Sequence, residues 1–307
     1  MILKKIKRIQ LFIITAVTAI VCSLIWINWK TPEVEDSYFF ESFQRRYGIY
    51  ALPIPDEMEF AGEQVPLHYW DVRERLDREL LVNTYWQSNT LLYFKRANRW
   101  FPVIEPILKA QGIPEDFKYL ALIESGFLNV VSPAGAGGFW QILESTGREL
   151  GLEINEHVDE RYHPVKATEA ASRFLHNARA RFGSWTNAAA AYNIGQARLS
   201  RILENQMQTC YYQLHLNDET SRYVFRILAI KTIFAEPREF GFHFREKDLY
   251  APLQVKTVAV DTAVTNLAGF ARHFGTNYKT LRLLNPWLRS NELPRNPNKT
   301  YQINLPL

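Results

Sequence analysis

Pro114-Glu-Asp-Phe-Lys-Tyr-Leu-Ala-Leu-Ile-Glu-Ser-Gly-Phe127 runs an apolar segment into a single carboxylate, Glu124, and then stops it with a glycine. The spacing predicts a helix that opens at Pro114, with Glu115 and Asp116 in its first turn near the positive end of the macrodipole. Phe117, Leu120, Ala121 and Glu124 fall at i, i+3, i+4 and i+7, so they share one face. A carboxylate on an apolar face loses water, which disfavours its charged form and raises its pKa. A glutamic acid that keeps its proton near neutral pH is a general acid. A glutamate buried in a structural ion pair satisfies the same segment equally well.

Helical patterning extends to both sides of this stretch. Residues 31–65 carry Pro32, Pro53 and Pro55 without a sustained period and read as a tether and an irregular arm. From Val72 a Leu stripe lies among alternating charges, as on a half-exposed helix. Phe94 to Gln111 reads as a second helix, closed by Gly112. Ser132-Pro-Ala-Gly-Ala-Gly-Gly138 is a glycine-rich loop. Pro164 starts a helix that Gly183 stops, and Ser184 or Thr186 can cap the alanine-rich segment Ala188–Ala191. Gln196–Leu203 and Tyr223–Phe234 complete a mainly α body over residues 66–237. After Pro237 the period changes. Gln254–Val260 and Tyr301–Leu305 alternate like strands, with helical patterns at Asn266–His273 and Tyr278–Asn285 between them. Residues 250–307 therefore read as a small α+β module.

Composition narrows the function class. The 307 residues suffice for one large or two modest domains, and the formal charge of +4 does not favour nucleic acid. Eight Trp, 15 Tyr and 19 Phe supply both a core and surfaces that stack on sugar rings. Lys4, Lys5, Lys7 and Arg8 precede an apolar run from Leu11 to Ile27, and Trp26 and Trp29 follow at its far end. Residues 1–30 are read as an uncleaved membrane anchor with an exported body, the alternative being a cleaved signal peptide. Of the two cysteines, Cys22 lies in the apolar run and Cys210 in the body. An intramolecular disulfide within the body and a cysteine-based zinc site are thereby excluded.

Three further stretches follow Glu124-Ser125 in order: Gly138-Phe-Trp-Gln141, Ala191-Tyr-Asn193 and Glu219-Thr-Ser-Arg-Tyr-Val224. Each alone is compatible with a turn, a helix end or a core stripe. As an ordered set, over residues 65–235, they resemble the family 1 lytic transglycosylases of bacterial cell walls. That family's glutamate-serine, Gly-Leu-Met-Gln and Ala-Tyr-Asn motifs correspond to Glu124-Ser125, Gly138–Gln141 and Ala191–Asn193. Phe139 stands where the family has Leu. His163, in Asp159-x-Arg-x-His-Pro164, stands where it more often has Asp, which puts one supporting contact in question. Leu281-Arg-Leu-Leu-Asn-Pro-Trp-Leu288 and Tyr301-Gln-Ile-Asn-Leu-Pro306 resemble LysM glycan-binding modules; a packing appendage is the alternative.

The resemblance implies a lysozyme-like catalytic domain acting on peptidoglycan glycan strands, without metal or cofactor, in the cell envelope. A monomer is expected. Glu124 would be the acid, and Ser125, Gln141, Tyr192, Asn193 and Tyr223 the substrate contacts. Two-carboxylate glycosidases pair an acid with a base or nucleophile. Glu144, Asp159 and Glu219 are the candidates for a second group here, and surface or structural roles account for each. Two competing readings remain: a muramidase that cuts the same bond with water, and a catalytically silent glycan-binding scaffold.

Overall fold

The computed structural model describes residues 48–307. The expected anchor, residues 1–30, and residues 31–47 of the expected tether and arm lie outside the described residues. Among the described residues, no helix is long and apolar enough to cross a membrane.

A two-stranded hairpin opens the body, β1 (Glu59–Phe60) and β2 (Glu63–Gln64), turning through Ala61 and Gly62 at positive φ. The sequence reading found no regular element here, because two-residue strands carry no period. The hairpin is nonetheless structural: Phe60 is fully buried, and the main-chain N–H of Ala61 donates to Asp116. Two long helices follow, α1 (Trp70–Tyr85) and α2 (Gln87–Ala110). The start of α2 lies upstream of the expected Phe94, separated from α1 by one exposed residue, Trp86. Thr90 bridges that break with a hydroxyl bond to the Asn83 carbonyl. Pro102 and Pro106 sit inside α2, four residues apart on its exposed side. The carbonyls they leave unpaired face water, so the helix survives them. Gly112 ends it at φ +66°.

The central helix, α3 (Phe117–Ser125), is wrapped on nearly all sides. Phe117, Leu120, Ala121 and Leu122 are fully buried. Pro114 to Asp116 form a turn into the helix rather than its first helical turn. The Asp116 carboxylate is tied instead to Lys231 at 2.7 Å and to Ala61. Gly126 (φ +60°) and Phe127 (φ +56°) then reverse the chain. A Cβ on Gly126 would stand 2.9 Å from the Tyr93 ring.

The rest of the body is α4 (Glu144–Glu149), α5 (Pro164–Phe182), α6 (Trp185–Ile194), α7 (Gln196–Asn205) and α8 (Asp218–Ala235); α2 and α8 pack directly on α3, α5 packs on α2 and α6, and α6 packs on α7 and α8. Ser184 is the residue that caps α6, but a distant residue does more. Glu63 accepts bonds from Ser184, Trp185 and Thr186, including both main-chain N–H groups, at 2.6 to 2.9 Å. A full carboxylate thus faces the positive end of α6. Burial pushes the Glu63 pKa up, but the bonds from Thr186, Trp185 and Ser184 outweigh it and hold the carboxyl below its usual value.

The C-terminal part matches the expected strand–helix–helix–strand order. Strands β3 (Val255–Val260) and β4 (Tyr301–Pro306) pair antiparallel, with Val260 opposite Tyr301 and Val255 opposite Pro306. Between them lie α9 (Leu267–His273) and α10 (Tyr278–Leu284). The buried Asn285 is fully satisfied by the Leu281 carbonyl and by both main-chain groups of Asn304, which fixes the end of α10 against β4. The core of this module also takes in Val158 and Tyr162 from the helical body.

Candidate active site

Glu124 closes the last turn of α3, and its side chain reaches the surface on one side while protein surrounds most of the carboxyl group. Burial raises its pKa to about 7. The Tyr223 hydroxyl donates to Oε1 and opposes the rise, as does the charge of Arg226, whereas Glu219 adds to it. Two alternatives left open by the sequence are now separable. No ion pair holds Glu124 among the described residues, and its partner is a phenol.

Tyr223 and Arg226 lie at i and i+3 on α8, so both face α3. Arg226 also donates to the Ile123 carbonyl at 3.1 Å, tying down the turn that carries Glu124. Sequence reasoning missed Arg226. Its signal was the three-residue spacing from Tyr223, which gains meaning once α8 is known to cross α3.

The loop after the glycine-rich stretch meets the end of α3. Ser125 donates to the Phe139 carbonyl at 2.8 Å and accepts from the Phe127 N–H, so it ties helix to loop. Tyr192 donates to the Trp140 carbonyl at 2.7 Å. Trp140 is fully buried, and its indole N–H is taken up by Thr168. Gln141 sits at φ +47° and spends its amide on the carbonyls of Gly138 and Val130, leaving its oxygen available. Asn193 accepts from Thr220 at 2.8 Å and donates to Glu219 at 3.3 Å. Burial pushes the phenols of Tyr192 and Tyr223 far above their usual value, and the nearby Glu124 charge adds to that, so both stay neutral.

The other acidic candidates separate by environment. Glu144 is on the surface, paired with Arg148. Asp159 is buried and gives both oxygens to Arg161. Glu219 is exposed on the first turn of α8 and is the one of the three whose charge is felt at Glu124. His163 occupies the cap position of α5 without a side-chain cap bond. Its ring leans on Trp287 with centroids 5.8 Å apart, and burial lowers its pKa to about 4. The start of α5 thus has no side-chain cap, and the residue at that position packs on the C-terminal module instead. Among the described residues, no group of three or more His, Cys, Asp or Glu is placed to hold a metal ion.

This arrangement offers one protonated carboxyl, neutral phenols and amide oxygens around a partly open position. Comparison with known proteins adds a context. Residues 102–214 match the transglycosylase SLT domain, and residues 256–307 match the soluble lytic transglycosylase C-terminal LysM-like domain. Membrane-bound lytic murein transglycosylase D of Escherichia coli (strain K12) is 29% identical over 210 residues, covering 66% of this chain and 46% of that protein. A putative tributyltin chloride resistance protein of Alteromonas sp. (strain M-1) is 28% identical over 127 residues, 41% of this chain and 61% of its own. The chain thus spans about half the length of the curated relatives it matches. A solved structure of an inactive mutant of lytic transglycosylase Slt from Pseudomonas aeruginosa aligns with a TM-score of 0.37 and 19% identity, over 51% of this chain and 26% of that one.

Proposed function

We propose that this chain, which carries an SLT transglycosylase domain and a LysM-like C-terminal domain, is a peptidoglycan lytic transglycosylase. In this reading it cleaves the β-1,4 bond between N-acetylmuramic acid and N-acetylglucosamine without water. The observation that supports it most is Glu124: a carboxyl with a pKa of about 7, held by a phenol at the end of a buried helix.

Glu124 protonates the glycosidic oxygen as the bond to the anomeric carbon breaks. The substrate's own 2-acetamido group assists at that carbon. Glu124, now a carboxylate, takes the proton of the 6-hydroxyl, whose oxygen closes the 1,6-anhydro ring. The carboxyl begins and ends protonated, so one group serves as acid and then as base. Tyr223 donates to the carboxylate formed in mid-reaction. Tyr192, Gln141 and Asn193 line the position of the sugars, and Ser125 keeps helix and loop in register. The named relative is membrane-bound, and we place this chain in the cell envelope, anchored through residues 1–30 and acting as a monomer.

Product analysis on purified peptidoglycan tests the reading. Muropeptides ending in anhydro sugars are expected, each lighter by one water than the hydrolytic product. Glu124→Gln is expected to abolish their release with the fold intact. Reducing ends would make the protein a muramidase. The position of Glu219 is the observation that favours that second reading, since a base beside the acid can activate water. In Glu219→Gln, anhydro products that persist keep Glu124 as the acid and base; loss equal to that of Glu124→Gln would transfer the base role to Glu219.

A further inference from the structure

Residues 153–162 are gripped from two sides. The C-terminal module seats on them through main-chain bonds. Asp159 N–H donates to the Trp287 carbonyl and Arg289 N–H to the His157 carbonyl, both at 2.8 Å, and Val158 bridges to Leu288. Lys299 reaches Glu153 at 2.7 Å and Glu160 at 2.5 Å, and the Tyr301 hydroxyl donates to Glu153 at 2.8 Å. A freely tethered appendage would leave these groups in water. Here Val158 and Tyr162 complete the module's core, and Glu160 is buried beneath Lys299.

The other side of the same segment holds the loop beside Glu124. Asp159 orients Arg161, whose guanidinium donates to the carbonyls of Gly135 at 2.9 Å and Ile142 at 3.3 Å. A Cβ on Gly138 would come within 1.9 Å of the Arg161 carbonyl, so the two backbones are in direct contact. That loop supplies the carbonyls that anchor Ser125 and Tyr192.

We propose that the C-terminal module is a positioning element for the catalytic loop. By clamping residues 157–160 it fixes Arg161, and through Arg161 the loop 135–142 that seats Ser125 and Tyr192 near Glu124. The module thereby serves turnover itself, beyond any part in retaining glycan. The kinetic side of this inference rests on the proposed activity; the structural side does not. The test reads the loop directly.

The full chain carrying Lys299→Met with Tyr301→Phe keeps the lysine stem and the aromatic ring and removes the three polar links. Hydrogen exchange is read at the amides of Gly137 and Ile142, which bond to each other's carbonyls across the loop, and of Gly138, which donates to the Val130 carbonyl. Exchange there is expected to quicken about tenfold, with α8 unchanged. On soluble uncrosslinked glycan strands, kcat falls by a similar factor with KM unchanged. Lys299→Arg with Tyr301 retained keeps both near wild type, as does Leu283→Ser on the module's exposed face. Unchanged loop exchange, or equal acceleration throughout the body, overturns the proposal. A wild-type chain that releases no product would overturn the enzymatic reading, while the exchange result still decides this one.

Discussion

At the scale of single residues, the chemistry comes down to how Glu124 is desolvated. Its carboxyl is raised on folding, so it binds its proton more tightly in the native state than in the unfolded chain. The resulting stabilisation is fully present below the unfolded pKa of 4.5 and is lost as pH climbs through about 7. The difference amounts to about 3 kcal/mol. Glu124→Gln escapes it, because the amide is neutral at all pH and still accepts from Tyr223. Thermal melts of the two proteins should coincide at pH 4, and the variant should melt higher at pH 8. Tyr223→Phe removes the donor that opposes the rise, so the alkaline limb of the rate profile should move to higher pH. The spacing of Phe117, Leu120 and Ala121 was enough to place Glu124 on a buried face. It left an ion pair and a general acid equally open, and the partner that replaces an ion pair, Tyr223, is 99 residues away on another helix. The roles of Ser125 and Gln141 were less legible, since both bond to main-chain carbonyls that a sequence does not display.

At the scale of elements, caps and close approaches decide what may vary. Glu63 tethers the start of α6, the helix that carries Tyr192 and Asn193. Glu63→Ala should cost about 2 kcal/mol, read by chemical denaturation near neutral pH. Because the folded pKa of Glu63 is lowered, its contribution is present above the unfolded value of 4.5 and fades as pH falls through the folded one. The penalty of the substitution should therefore shrink in acid. Gly138 stands at φ +75° against the Arg161 carbonyl, with no room for a methyl group. Gly138→Ala should destabilise by about 3 kcal/mol and displace the loop, seen as a lowered melting temperature. The helices were legible from period and punctuation, and Gly112, Gly126 and Gly183 all close their helices at positive φ. The break at Trp86 and the hairpin at 59–64 were not, because a one-residue interruption and two-residue strands fall below the length at which periodicity speaks.

At the scale of the whole molecule, the helical body and the C-terminal module have two cores that share a segment. Val158 and Tyr162 belong to the helical body by sequence and to the module by packing. Calorimetry of the intact chain should therefore show one unfolding transition for both, and removal of residues 253–307 should lower the melting temperature of what remains. Two separate transitions would contradict this. The sequence marked the module by its alternation but gave no sign of its seat, because the docking bonds, main-chain and side-chain alike, run between segments remote in sequence. The link from Lys299 to Glu160 closes 139 residues of chain. Contacts of such separation carry the largest loop-closure cost and form late. During synthesis the helical body emerges first, while the strand that completes its clamp has yet to be made. If the proposed coupling holds, the loop beside Glu124 is finished after the helices around it, and the proposed activity of a nascent chain is expected only once Tyr301–Pro306 is in place.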